Sequence, residues 1–162
     1  MTTTFIFFGC HREPPVVGNN SNKVIDIKEN MINANRTIAQ SEETAIDEYV
    51  TRRGWPMKKL STGTRYWEYE IGNGKQIDYE DSVKIKYDVE ALNGKLVYTS
   101  IEECFVVGRS QVMIGLDDAV RHMHRGSKAK VILPSSLAYG IAGDNDRITQ
   151  SMVIVIDLRI ED

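Results

Sequence analysis

The 162-residue chain has little cysteine, only Cys10 and Cys104. They lie far apart and neither sits in a C-x-x-C or Cys/His spacing, so a disulfide framework and a thiolate metal site are both unexpected. No window reaches the roughly 18 apolar residues of a membrane-spanning helix. An excess of one charge is lacking as well. Twenty Lys and Arg stand against 23 Asp and Glu, a net charge of −3. A nucleic-acid binder usually carries a basic stripe, so no nucleic-acid partner is expected. No Ser/His/Asp or Cys/His arrangement is evident, nor a phosphate-cradling glycine loop, and no cofactor is called for. His122 and His124 flank Met123, and residues two apart on a helix face different ways, so they read as a solvated surface pair and no metal is expected.

What is present is the composition of a soluble domain, 41% hydrophobic and 27% charged. The length suits one core plus about forty further residues. The first ten residues are an apolar run ending in Gly9-Cys10, after which His11, Arg12 and Glu13 turn the chain polar. This resembles the end of a bacterial lipoprotein signal peptide, in which the cysteine becomes lipidated. The run is shorter than a usual signal core, has no preceding basic residue, and carries Phe7 where Leu is typical. Pro14, Pro15, Gly18, Asn19, Asn20 and Ser21 would supply a flexible tether. The resemblance implies lipidation at Cys10, a membrane partner through the lipid anchor, and a bacterial envelope location, as a periplasmic or outer-membrane lipoprotein. The bland alternative is a tail whose Phe residues pack on the domain or on another copy.

From Val24 to Gly54 the apolar residues fall at helical spacing, first Val24, Ile27 and Met31, then Ile38, Ala45, Ile46, Tyr49 and Val50. Two helices are expected, the second capped by Ser41, with Glu42 and Glu43 at its start, Arg52 and Arg53 at its end, and Gly54 as its stop. Short helices are marginal alone in water, so this arm either packs on the following domain or makes a homodimer. The expected organisation is residues 1–22 as signal remnant and tether, 23–59 as helical arm, and 60–162 as one domain.

From Thr64 the pattern changes to period two. Trp67, Tyr69 and Ile71 alternate with glutamates, and Val83, Ile85 and Tyr87 alternate with lysines, giving strands with one apolar and one charged face. Asn93-Gly94 between Val89 and Leu96 signals a hairpin, because both residues tolerate positive φ. Residues 131–133 and 152–160 add strands. One helix fits, over about residues 117–124, with Ala119, Val120 and Met123 inward. Asp117 and Asp118 suit its first turn.

The ordered set Val83-Lys84-Ile85-Lys86-Tyr87, Asn93-Gly94-Lys95-Leu96-Val97-Tyr98-Thr99-Ser100, Phe105-Val106-Val107-Gly108, Gln111-Val112-Met113-Ile114-Gly115-Leu116, Met123-His124-Arg125-Gly126, Ala138-Tyr139-Gly140 and Ile156-Asp157-Leu158 is similar to the FK506-binding-protein (FKBP) family of prolyl isomerases. The resemblance implies an α+β fold, an antiparallel five- or six-stranded sheet wrapped around one short helix, here preceded by a helical arm. It implies peptidyl-prolyl cis/trans isomerisation of proline-containing polypeptides. Tyr87, Tyr98, Phe105, Val112, Met113, Leu116, Tyr139, Ile148 and Ile156 would line the cleft, with Leu116 as its floor. Tyr139 and the Met113 amide would be donors to substrate carbonyls, and Tyr87 would join them at the catalytic end. The arm and the strand Tyr66-Trp67-Glu68-Tyr69 resemble the gliding-motility-associated lipoprotein branch of Bacteroidetes.

Three departures from the family pattern bear on activity. Thr99 follows Tyr98 where the best-known members have Asp after an aromatic; Leu116 replaces Trp; and residues 144–151 lack the usual prolines. They motivate an alternative, a non-catalytic peptide-binding chaperone or scaffold of the same fold.

Overall fold

The computed structural model describes residues 20–161, with side chains from residue 25. Cys10 and most of the expected tether lie outside the described residues. The chain forms two compact units, one ending at Asn35 and the other running from Arg36. Among the described residues no helix is long and apolar enough to cross a membrane.

The arm is one helix, α1 (Asn20–Arg53), rather than the expected two. Ser41 therefore lies within it and caps nothing. The physical reason is plain in residues 32–40, which contain neither Pro nor Gly to break the turn. Its end follows expectation: Arg52 and Arg53 occupy the last turn and Gly54 takes φ 64°. In the first unit Ile25, Ile27, Met31 and Ile32 are exposed.

The second unit is built on a six-stranded antiparallel sheet. Its strands are β1 (Lys58–Lys59), β2 (Arg65–Glu70), β3 (Ser82–Ala91), β4 (Leu96–Val106), β5 (Lys128–Leu133) and β6 (Ile154–Ile160), in the order β1-β2-β5-β6-β3-β4. A short helix, α2 (Ile114–Val120), packs in the hollow of the sheet. It begins three residues before the expected Asp117 and stops at Val120, so Met123 belongs to the turn beyond it. Ala119, Val120 and Met123 are buried as their spacing demanded.

The inner face carries Val83, Ile85, Tyr87 and Val89 from β3, Ala129, Val131 and Leu133 from β5, and Ile154, Ile156, Leu158 and Ile160 from β6. Their alternation with charged residues is the period-two signal read from sequence. The outer face is covered by the end of α1, where Ile46 and Tyr49 pack on Ile132, Val153 and Val155. On β2 the assignment of faces is reversed. Tyr66 points to the core, whereas Trp67 and Tyr69 lie on the outer side in an aromatic series with Trp55 and Tyr49. Tyr66 shares its face with Glu68 and Glu70, so alternation alone pointed to the Trp67 and Tyr69 face as the buried one.

Two polar anchors join α1 to the sheet. Arg65, itself buried, donates to Asp47 at 2.6 Å and to the Gly63 carbonyl at 2.9 Å. Glu42, 9% exposed, accepts from the Ser135 N–H at 2.9 Å and the Ser135 hydroxyl at 2.5 Å. The second anchor holds the 3₁₀ turn Ser135–Leu137, which leads directly into Tyr139.

Candidate functional site

The candidate residues meet in one apolar cluster between β3, β4, α2 and the loop after the 3₁₀ turn. Strand pairing decides which β4 residues reach it. Val83 faces Phe105, Ile85 faces Glu103 and Tyr87 faces Ile101 before a bulge shifts the register. Cross-strand partners share a face, so Ile101, Glu103 and Phe105 all point inward.

All nine residues named from sequence fall in one cluster. Tyr87, Phe105, Leu116, Ile148 and Ile156 are buried in it, and Tyr98, Val112, Met113 and Tyr139 pack against it with part of their surface exposed. Leu116 sits at the bottom with no exposed surface. Gly115 beside it lets α2 approach β5, because a Cβ there would lie 2.6 Å from Leu133 Cδ2. Asp117, expected only to favour the helix start, also accepts from the Gly108 N–H at 2.9 Å and ties the β4 turn to α2.

Two donors in this cluster are unspent. Met113 is the N-cap of α2; its carbonyl accepts from the Leu116 and Asp117 N–H groups at 3.0 Å, while its own N–H has no acceptor among the described residues. The Tyr139 hydroxyl has none there either, and its pKa is raised by burial and by the charges of Glu103 and Asp144. Tyr87 is raised too, by burial first and then by Glu103.

Glu103 was passed over in the sequence because it follows Glu102 and reads as one more surface charge. Its signal was parity, since it lies two residues before the inward Phe105. Its Oε2 is buried without a hydrogen-bond partner among the described residues. Thr99 is exposed. A carboxylate is thus present beside Tyr87 and Tyr139 from another position on the same strand.

The rim is built by the loop after Gly140. Asp144 accepts the Tyr98 hydroxyl in a short hydrogen bond and the N–H groups of Asp146 and Ile148 at 2.9 and 2.8 Å. This network fixes the loop without a proline in residues 144–151. The bond to Asp144 pushes Tyr98 up to about 12, and the same bond holds Asp144 below the usual carboxylate range. A depressed carboxylate contributes stability that is present above its unfolded pKa and lost as pH falls through its folded one. The Asp146 and Ile148 amide resonances should therefore titrate with a midpoint below the ordinary value of about 3.9. A midpoint at or above that value would contradict the network.

The two histidines diverge as expected, yet neither is merely solvated. His122 stacks on Tyr66 at 5.7 Å, and His124 Nδ1 lies 3.2 Å from Glu68, which also accepts the Ser127 hydroxyl. Among the described residues no group of three or more His, Cys, Asp or Glu is placed to hold a metal.

Residues 73–160 match a family model described as FKBP-type peptidyl-prolyl cis-trans isomerase. FK506-binding protein 2 of Dictyostelium discoideum is 32% identical over 109 residues, covering 65% of this chain and 80% of the relative. FK506-binding protein 4 of the same organism is 28% identical over 103 residues, 62% of this chain but only 28% of that longer protein. A crystal structure of a peptidyl-prolyl cis-trans isomerase from Pseudomonas syringae aligns with a TM-score of 0.66 at 24% identity, covering 78% of this chain and 93% of that one. The last likeness speaks to fold.

Proposed function

This chain belongs to the FKBP-type peptidyl-prolyl cis-trans isomerase family, and from that membership we propose that its cleft catalyses rotation about X-Pro bonds. The barrier to that rotation is about 18–20 kcal/mol because the amide is conjugated, and uncatalysed exchange takes about tens to hundreds of seconds. No covalent step is required. A catalyst needs an apolar seat for the ring, exclusion of water from the imide, and donors that favour the twisted state over either planar one.

The observation that carries the reading is the pair of unspent donors, the Tyr139 hydroxyl and the Met113 N–H, at the edge of one apolar cluster. Each would donate to a substrate carbonyl flanking the imide. Tyr87, Phe105, Val112 and Ile156 would wall the ring, with Tyr98 and Ile148 at the rim. Leu116 has no exposed surface in this structure, so a ring reaches the floor only after the groups that cover it shift.

That covered floor also favours a second reading, a peptide-binding module that grips chains at the rim without turnover. Exchange NMR on a short X-Pro peptide separates the two. Isomerisation predicts cis/trans exchange well above the buffer rate; binding alone predicts saturable shifts with exchange unchanged.

We place the protein in the bacterial envelope, in the gliding-motility-associated lipoprotein branch, assisting the folding of envelope proteins. The support is the run ending in Gly9-Cys10 and the polar residues after it. In this reading residues 1–22 tether, 23–59 form the arm, 60–162 act, and the exposed Ile25, Ile27, Met31 and Ile32 pair the arm with a second copy. Mass spectrometry of protein from native membranes would find acyl chains on Cys10; an unmodified Cys10 there would refute the anchor.

A further inference from the structure

We propose that Glu103 makes the cleft selective for peptides bearing Lys or Arg at the position adjoining the proline. This rests on the reading of the cleft as the X-Pro site and names its preferred substrates.

The placement of Glu103 is fixed by the sheet. It pairs with Ile85, whose side chain has no exposed surface, and stands between Ile101 and Phe105 on the inward face of β4. Its charge reaches the two tyrosines that flank the cleft, Tyr87 and Tyr139. Oε2 is buried and meets no donor at good hydrogen-bond geometry among the described residues; the Tyr87 hydroxyl lies close enough to act on the carboxylate but is the one neutral donor beside it that the structure shows. A buried carboxylate oxygen left without a donor is costly, and a donor arriving with a ligand relieves that cost.

Lys84, Lys86 and Arg147 are committed elsewhere. Lys84 and Lys86 pair with Glu102, which points to the opposite face of the same strand. Arg147 lies over the Tyr98 ring at 5.3 Å and donates to the Val97 carbonyl at 3.1 Å. Among the groups acting on Tyr139 there are two carboxylates, Glu103 and Asp144, and no cation. A cleft with apolar walls and unbalanced negative charge attracts a positive group and strengthens its pairing by excluding water. A proline ring among the apolar residues leaves its neighbouring side chain at the wall where Glu103 stands. Lys or Arg there brings both the missing donor and the missing charge, whereas Leu brings neither and Glu adds repulsion.

The test uses tetrapeptides with Lys, Leu or Glu placed before and then after the proline, with kcat/KM from exchange NMR and Kd from shift titration. The full chain should favour Lys over Leu about tenfold at one of the two positions, with Glu lowest, and Glu103→Gln should bring Lys to within about twofold of Leu. Glu103→Leu, monitored for a cooperative thermal transition, should reverse the order. A wild type that takes Leu as well as Lys at both positions overturns the proposal, as does a folded Glu103→Gln that keeps the preference. If no peptide isomerises, the catalytic reading fails, and the Kd order alone upholds or overturns the selectivity.

Discussion

Replacing Tyr139 by Phe should lower kcat/KM for a proline tetrapeptide about tenfold, the worth of one buried hydrogen bond to the reacting amide. The thermal midpoint should stay nearly unchanged. The hydroxyl makes no hydrogen bond within the described residues, so the fold loses nothing when it is removed, and the ring keeps its packing against the core. What the variant loses is a donor to ligand alone. A rate equal to wild type would remove Tyr139 from the site. A large loss of stability would show that the hydroxyl serves the fold.

The second large effect is on stability. Glu42→Ala should cost about 3 kcal/mol, because it strands two donors of the buried Ser135 at about 1–3 kcal/mol each. Denaturant unfolding of the full chain measures it through the midpoint. The consequence should reach the site, since the Ser135 carbonyl also accepts the Ala138 and Gly140 N–H groups at 3.1 and 2.7 Å. Tyr139 lies between those two residues, so its amide should exchange faster with solvent in the variant. Glu42→Gln keeps one acceptor and should recover about half of the loss. A neutral Glu42→Ala would mean that α1 does not hold this turn.

The fold was legible where each strand buries one face. β3 reads cleanly because Lys84 and Lys86 oppose Val83, Ile85 and Tyr87, and the sheet repeats that pattern. β2 was misread because α1 covers its outer face, so Trp67 has an apolar reason to point away from the core. The two expected helices became one because a plausible cap at Ser41 does not end a helix when nothing before it breaks the turn. These errors share a cause, in that local signals were read without knowledge of what packs outside.

That nine residues spread over the chain share one cluster was legible through their resemblance to a family; periodicity alone reads Leu116 and Ile156 as core. Glu103 escaped both routes, since two consecutive glutamates look like surface. Only the pairing of β3 with β4, a contact between residues 18 positions apart in Ile85 and Glu103, puts it on the wall. The Asp144 network was hidden for a similar reason. Tyr98 and Asp144 lie 46 residues apart, and nothing in residues 144–151 announces the bond.

The central claim is that a proline ring enters this cluster and comes to rest on Leu116. Intermolecular nuclear Overhauser effects between an X-Pro peptide and the methyl-labelled protein test it most directly. The account predicts contacts from the ring protons to the Leu116 and Ile156 methyls. Contacts confined to the exposed rim, with none reaching Leu116 at saturating peptide, would contradict it.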